Sequence, residues 1–253
     1  MEAYHRVTEN YEKPKIFIAT PCYSGQVSSK YMHSMCDLIK TLIENDIRYD
    51  VTTIQSSLIP RSRNTFVTRF MKDYDSTHLL FIDADIQFKS SDVLKMLRED
   101  KDVICGCYPK HEIHLQYKDC NLPRNEWLQT IFKYGFVIDS KHKTTDTFVE
   151  MLSAPTGFML IKKQVFRNLI RQYPETEYIS DSVTTDICFN LFQSQVVDHE
   201  YLSEDKGFCR LWRNMGGTII ADLTIQLNKV GPFCYYGYPL LYFNMAGEFT
   251  PDK

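Results

Sequence analysis

Short apolar runs alternate along this chain with longer stretches in which apolar residues return every three or four positions. The runs Lys15-Ile-Phe-Ile-Ala-Thr20, Tyr49-Asp-Val-Thr-Thr-Ile54, Leu79-Leu-Phe-Ile82 and Asp102-Val-Ile-Cys-Gly-Cys-Tyr108 predict strands. Leu79 to Ile82 has no polar alternation, the pattern of a strand buried on both faces. Between the first two runs, Tyr31, Met35, Leu38 and Leu42, with Met32, Ile39 and Ile43, keep helical spacing. Ser28 or Ser29 supplies an N-cap there, and Asn45-Asp46 ends the helix. A second helix follows Ser56-Ser-Leu-Ile-Pro-Arg-Ser-Arg-Asn64 through Phe66, Val67 and Phe70. A third is capped around Ser90-Ser91-Asp92 and carries Val93, Leu94 and Leu97.

Four strands with helices between them predict an α/β fold, with a Rossmann-like, mostly parallel central sheet flanked by helices. Right-handed crossovers gather the strand C-termini, and the loops that follow them, on one edge. Farther along, Phe148 to Ala154 and Phe158 to Ile161 read as strands separated by the break Pro155-Thr-Gly157, and Lys163 to Tyr173 reads as a helix. Ser203 caps a further helix with Glu204 and Asp205 in its first turn, the stripe Phe208, Leu211, Trp212 and Met215, and a stop at Gly216-Gly217. Thr218 to Asp222 is a last strand. Residues 1–14 form a polar leader, 111–147 a polar and variable excursion, and 238–253 a C-terminal tail. With no repeat and no low-complexity linker, residues 1–253 read as a single domain.

Composition narrows the function classes. At 43% hydrophobic and 24% charged the chain is ordinary globular material. A net charge of −3 with no dense Lys/Arg block predicts no nucleic-acid partner. The 8 cysteines are dispersed, several inside apolar runs, as suits small core residues of a reducing compartment. Cys105-x-Cys107 is spaced too closely for a usual zinc pair. The N-terminus lacks a signal-peptide core, and no apolar stretch approaches the ~20 residues of a membrane span. The expectation is a cytoplasmic protein without a transmembrane segment. Its oligomeric state is not legible.

The chemistry centres on Phe81-Ile-Asp-Ala-Asp85, where the apolar strand ends in two carboxylates. Acids held together at a sheet edge are costly unless a cation shares them, which predicts a metal and a phosphate on it. Solvated acids at a strand end would look the same. Arg61, Arg63 and Asn64 offer forked donors suited to a diphosphate or ribose, or else begin a solvated helix. Glu204 and Asp205 either favour a helix start or supply a general base. Gly157 would admit a close backbone approach to a sugar, or simply make a turn. Trp212 reads as core, while Arg213 on the same helix could reach phosphates.

Six pieces in order, Thr20-Pro-Cys-Tyr23, Pro60-Arg-Ser-Arg-Asn64, Phe81-Ile-Asp-Ala-Asp85, Pro155-Thr-Gly-Phe-Met159, Ser203-Glu-Asp205 with Arg210-Leu-Trp-Arg213, and Leu227-Asn-Lys-Val-Gly231, span nearly the whole chain. In that order they resemble the GT-A fold nucleotide-sugar glycosyltransferases of the family 2 style, including small stand-alone examples in large DNA viruses and bacteria. The resemblance implies a transfer assisted by a divalent metal, Mn²⁺ or Mg²⁺, from a nucleoside-diphosphate sugar, UDP favoured over GDP, to a glycan or glycoconjugate hydroxyl. It implies that Thr20, Pro21 and Tyr23 wall the nucleobase pocket. Asp85 would be the direct metal ligand, with Asp83 on the ribose or a metal-bound water and Ala84 between them in the donor site. Asp205 would be the base, with Glu204 holding the acceptor, and a single displacement would invert the anomeric centre. Where such enzymes commonly carry a metal-binding histidine this chain has Lys229, whose ammonium could neutralise the diphosphate directly; alternatively Asn228 could donate an oxygen to the metal. Sugar specificity would fall to residues 108–117 and 150–159.

Three rivals are weighed on the same residues. A non-catalytic sugar-nucleotide or glycan-binding module would have no need of Glu204-Asp205. A nucleotidyltransferase would need a Gly-rich phosphate loop, for which Pro21-Cys-Tyr-Ser-Gly-Gln26 is a poor substitute. A dinucleotide oxidoreductase would need Gly-x-Gly-x-x-Gly at that turn.

Overall fold

The structure is a computed structural model that describes residues 13–113, 123, 131–139, 147–180 and 186–245. Nearly all of the leader, most of the 111–147 excursion, Cys120 and the end of the tail lie outside the described residues.

The first part of the chain alternates as expected: β1 (Lys15–Cys22), α1 (Ser29–Glu44), β2 (Arg48–Gln55), α2 (Ile59–Lys72), β3 (His78–Ile82), the short β4 (Ile86–Gln87), α3 (Ser90–Arg98) and β5 (Val103–Cys105). Ser28 caps α1, its hydroxyl accepting the Tyr31 N–H at 3.0 Å, and Asp46 leaves the helix at a φ of 55°. Two starts differ from expectation. α2 begins at Ile59 with Pro60 in its first turn, so Arg61, Arg63 and Asn64 are helical residues on different faces. α3 is capped at Lys89, whose N–H donates to the Asp92 carboxylate at 3.3 Å, and Ser90 and Ser91 lie inside the helix.

Next come β6 (Pro109–Ile113), β7 (Phe132–Tyr134), β8 (Val137–Ile138), β9 (Phe148–Ser153), β10 (Phe158–Lys162) and α4 (Lys163–Gln172). Two short hairpins follow, β11 (Glu177–Ile179) with β12 (Ile187–Phe189) and β13 (Gln195–Val197) with β14 (Glu200–Leu202). The chain continues through α5 (Glu204–Asn214), β15 (Ile220–Asp222), β16 (Asn228–Val230), β17 (Cys234–Tyr236) and α6 (Pro239–Met245). Among the described residues, no helix is long and apolar enough to cross a membrane.

The central sheet has the order β2-β1-β3-β10-β5-β15-β9-β8. Strands β1, β2, β3, β5, β8 and β15 point one way, and β9 and β10 run against them. The sheet is therefore mixed but mostly of one direction, with helices on both faces. The reversal of β10 matters for the site. Antiparallel pairing sets Phe158 opposite Ile82, so the turn that starts β10 lies beside the carboxylates that end β3.

β3 is the centre of the core, with Leu79, Leu80, Phe81 and Ile82 all 0% exposed. Its alternate side chains serve opposite faces. Leu79 and Phe81 join Phe66, Phe70, Phe166, Phe192 and Phe208 beneath α2, α4 and α5, while Leu80 and Ile82 join Tyr31, Leu38 and Met96 beneath α1 and α3. Each such side chain contributes roughly 1.5–3 kcal/mol by burial, enough to hold the strand end rigid.

Candidate functional site

The Asp83–Asp85 turn is pinned from both sides by backbone. Asp83 N–H donates to the Gly157 carbonyl at 2.8 Å, and Val230 N–H donates to the Asp85 carbonyl at 2.8 Å. β4 then pairs with β16, and β16 with β17, in a three-stranded ribbon that brings Lys229 over the turn.

Each carboxylate meets a cation of the protein itself. Arg63 donates through Nη2 to Asp83 Oδ1 at 2.9 Å, and the Tyr108 hydroxyl stands 3.5 Å from Oδ2. Burial pushes the Asp83 carboxyl up, but Arg63 and Lys229 outweigh it and hold the group below its ordinary value. Lys229 Nζ lies 3.6 Å from Asp85 Oδ2 and 4.8 Å from the centre of the Tyr108 ring. Burial nevertheless keeps the Asp85 carboxyl above its ordinary value. Asp85 Oδ1 is buried without a partner.

Gly157 sits where side chain cannot. A Cβ there would lie 2.3 Å from both Asp83 Oδ2 and the Tyr108 hydroxyl, and Gly157 N–H donates to that hydroxyl at 3.0 Å. Gly157→Ala is therefore expected to displace Asp83 from its two partners. The fold should survive with a loss of about 1–3 kcal/mol, the usual range for overpacking. Nucleotide titration should read a fall in affinity of about tenfold or more, since 1.4 kcal/mol is a factor of ten. An unchanged affinity would show that Asp83 does not help to form the binding site.

The second carboxylate pair is joined to the first. Asp205, in the first turn of α5, accepts a hydrogen bond from the hydroxyl of Thr156, which is 0% exposed and precedes Gly157 in the β9–β10 turn. The dipeptide Thr156-Gly157 thus touches Asp205 with one residue and Asp83 with the next. Arg63 bridges the same two sites electrostatically. It is 2% exposed, stacks on Phe81 at 5.1 Å, and keeps Nε and Nη1 without a partner. The Asp205 carboxyl is pushed up to about 6, first by burial; Arg63 pulls it down and Glu204 pushes it farther up. A carboxyl poised there is suited to accept a proton near neutral pH.

A cleft of about 530 Å³ opens over the first pair, lined by Pro21, Tyr23, Ile59, Asp83, Ala84 and Asp85, with Val230 and Gly231 at its side. Tyr23 is 69% exposed at the mouth and presents a ring. Thr20 lies behind this wall, its hydroxyl 2.6 Å from that of Tyr31. Arg61 is exposed on the first turn of α2, beside the cleft-lining Ile59. The structure therefore gathers Pro21, Tyr23, Asp83, Ala84, Asp85, Arg63, Gly157, Lys229 and Asp205 around one edge of the sheet.

Three expected residues are placed differently. Asn64, 2% exposed, spends its amide on Asn190 Oδ1 at 2.9 Å and on the Phe192 backbone, so it ties α2 to that loop and does not face the cleft. Asn228 turns its oxygen to the Gly237 N–H at 3.2 Å and its nitrogen to Gln87, so its oxygen is not turned toward a metal beside Asp85. Arg213 is in the last turn of α5, about 12 Å along the axis from Asp205. Sequence reasoning placed Tyr108, Thr156 and His111 only inside the broad specificity ranges 108–117 and 150–159 and gave none of them a contact of its own. The first two sit at the ends of recognised strand and turn segments, but nothing in their spacing marks them as polar contacts. His111 lies in the aperiodic excursion, yet β6 brings its Nε2 to 3.9 Å from Asp85 Oδ2.

These residues fit a divalent cation in a restricted way. Asp83 and Asn228 are committed elsewhere, while Asp85 has an orphaned buried oxygen. Burial, then Lys229, lowers the His111 imidazole below its ordinary value, so it is neutral near pH 7 and able to donate its nitrogen. Among the described residues no group of three or more His, Cys, Asp or Glu is gathered for a metal. One carboxylate plus substrate phosphates is an ordinary way to hold Mg²⁺.

No protein-family profile matches the chain, and no curated protein does. Among solved structures, the chain is similar to A197 from STIV, at 16% identity over 86% of each chain with a TM-score of 0.47. It is also similar to GalNAc-T7 with UDP, GalNAc and Mn²⁺, at 9% identity and a TM-score of 0.48, matching 87% of this chain and 44% of that one. A third is S. aureus TarS 1-349, at 13% identity and a TM-score of 0.34, matching 88% of this chain and 60% of that one.

Proposed function

We propose that this chain is a glycosyltransferase that moves a sugar from a nucleoside-diphosphate donor, UDP favoured over GDP, to a hydroxyl of a glycan or other acceptor. The observation that carries the reading is the joining of two carboxylate sites by Arg63 and by Thr156-Gly157. One site, Asp83–Asp85, opens onto a cleft of nucleotide size, and the other holds a carboxyl raised to about 6.

The chemistry divides between them. The nucleotide lies in the cleft with its base against Tyr23 and Pro21, and its diphosphate near Lys229. Asp205 removes the proton of the acceptor hydroxyl as that oxygen attacks the anomeric carbon, and Glu204 holds the acceptor. The bond from the anomeric carbon to the diphosphate oxygen breaks in the same displacement, with inversion. Asp85 and His111 would hold Mn²⁺ or Mg²⁺, whose charge when bound would stabilise the departing diphosphate. The free thiols of Cys22, Cys105, Cys107, Cys188 and Cys209 suit a cytoplasmic setting.

Calorimetric titration of UDP and of GDP, with and without Mn²⁺, tests the reading on wild type and on Asp85→Ala. The expected result is binding of one nucleotide, strengthened by Mn²⁺ in wild type and not in the variant. Absence of binding by either nucleotide under all conditions would overturn the transferase reading and favour a glycan-binding module.

A further inference from the structure

A second concavity, of about 550 Å³, is lined by residues of α5 and of the segment from Tyr173 to Gln195, none of which lines the Asp83–Asp85 cleft. Its floor is the helix face formed by Gly207, Arg210, Leu211 and Asn214, spaced i, i+3, i+4 and i+7. Its wall carries Asn190, Gln193 and Gln195, the outer members of a head-to-tail chain of amides that starts at the buried Asn64. Asn64 donates to Asn190 at 2.9 Å, Asn190 donates to Gln193 at 2.9 Å, and Gln193 donates to Gln195 at 2.9 Å. The Tyr173 hydroxyl donates to the Leu211 carbonyl at 3.2 Å, which fixes that ring at the groove's edge.

We propose that this groove is a carbohydrate-binding site that holds the acceptor of the reaction; as an acceptor site it rests on the transferase reading above. Sugar hydroxyls both donate and accept, and a primary amide does the same with two N–H groups and two lone pairs. Asn190 and Gln193 each keep one N–H and one lone pair for a ligand, and terminal Gln195 keeps both N–H groups and one lone pair, while Asn64 is spent on Asn190 and Phe192. Bonds in series polarise one another, so the terminal Gln195 amide is the stronger partner for being last. A strongly anionic ligand is opposed by Glu175 and Glu177 in the lining, which Arg210 offsets only in part. An apolar ligand would strand the amides without partners, at a cost of about 1–3 kcal/mol each.

The groove also leads to the base. Glu204 precedes Gly207 by three residues and so lies on the same face of α5, one turn nearer its start, while Asp205 turns toward Thr156 and Arg63. A glycan in the groove passes Glu204 and offers its end hydroxyl to Asp205. Gly207 sets the geometry, because a Cβ there would meet the Gln193 carbonyl oxygen at 2.3 Å.

Side-chain amide NH₂ signals report on this directly. In ¹H–¹⁵N spectra of the whole chain, the probes are free glucose, galactose, mannose, xylose and N-acetylglucosamine, then UDP, inorganic phosphate and an uncharged Gly/Ser peptide. The expected result is that at least one sugar shifts the NH₂ pairs of Asn190, Gln193 and Gln195, and that Gln193→Ala weakens its binding about fivefold, the worth of one such bond. Asn214→Ala, on the exposed end of the floor, gives the same readout should Gln193→Ala fail to fold. The proposal is overturned if no sugar moves these signals, if the sugars move only cleft residues, or if phosphate or the peptide moves the groove instead. UDP separates the two readings. Shifts by UDP in the cleft without sugar shifts in the groove would sink the groove alone, while sugar shifts without any UDP response would sink the transferase reading and leave a glycan-binding groove.

Discussion

Asp205→Asn is expected to slow sugar transfer by about 10²–10⁴-fold, the range for loss of a positioned general base, with nucleotide affinity unchanged. The asparagine keeps the shape of the side chain and can still meet the Thr156 hydroxyl, so the loss isolates the proton acceptor from the scaffold. Single-turnover rates with a sugar acceptor, read alongside nucleotide titration, check both halves. A variant that transfers at a tenth of the wild-type rate or better would remove Asp205 from the role of base. The pH profile sharpens the test. Wild-type kcat/KM should rise with pH and level off above about 6, because the carboxyl must be ionised to accept the proton. The residual rate of Asp205→Asn should lack that limb.

The same substitution should stabilise the protein. The folded carboxyl titrates near 6, above its ordinary value of 3.8, so between these values the folded state binds more protons than the unfolded chain. Stability therefore falls as pH rises through this window, and above about 6 the full cost of an ionised buried group is present. Asparagine has no charge to bury. Asp205→Asn should melt higher than wild type at pH 7–8, by about 1–2 kcal/mol after allowance for the lost attraction to Arg63, and the difference should vanish below pH 4. A gain that persisted at pH 3 would trace to packing instead of charge.

Much of this arrangement was legible in the sequence because its causes are local. The unbroken apolar run Leu79 to Ile82 could only be a strand with two buried faces, and Ser28 could be read as a cap because capping is a contact over three residues. Asp83, Asp85 and Asp205 stand out as acids at the ends of periodic segments. What the sequence could not show is long-range. The reversed direction of β10, which sets Gly157 against Asp83, depends on pairing with strands from distant parts of the chain. The partners of Asn64 lie more than a hundred residues away, so its exchange of a ligand role for a structural one has no local sign. Arg63 and Asn64 are neighbours with similar donor chemistry, yet one step of about 100° around α2 directs them to different partners. His111 belongs to a stretch without periodicity, and only the β6 pairing reveals its place beside Asp85.

Lys229→Met should make nucleotide binding depend on added metal. In the wild-type site the ammonium faces Asp85 and is held over Tyr108, with its side chain 17% exposed, so a positive charge is present before any metal arrives. A charge-assisted contact to a diphosphate is worth about 1.5–3 kcal/mol, so its removal should weaken metal-free UDP binding by about 10–100-fold. Methionine keeps the length and apolar stem of lysine, which limits the packing loss. With Mn²⁺ the variant should recover most of that affinity, because Asp85 is then released from the lysine and Oδ1 already lacks a partner. Removal of Lys229 also takes away a charge that pulls the Asp85 carboxyl down, so that group rises farther and metal binding must displace a proton. Calorimetry in two buffers of different ionisation enthalpy reads this release directly, and Lys229→Arg should retain metal-free binding by keeping the charge. Equal metal-free affinity in wild type and Lys229→Met would show that the ammonium serves only to neutralise Asp85 and that the diphosphate rests elsewhere in the cleft.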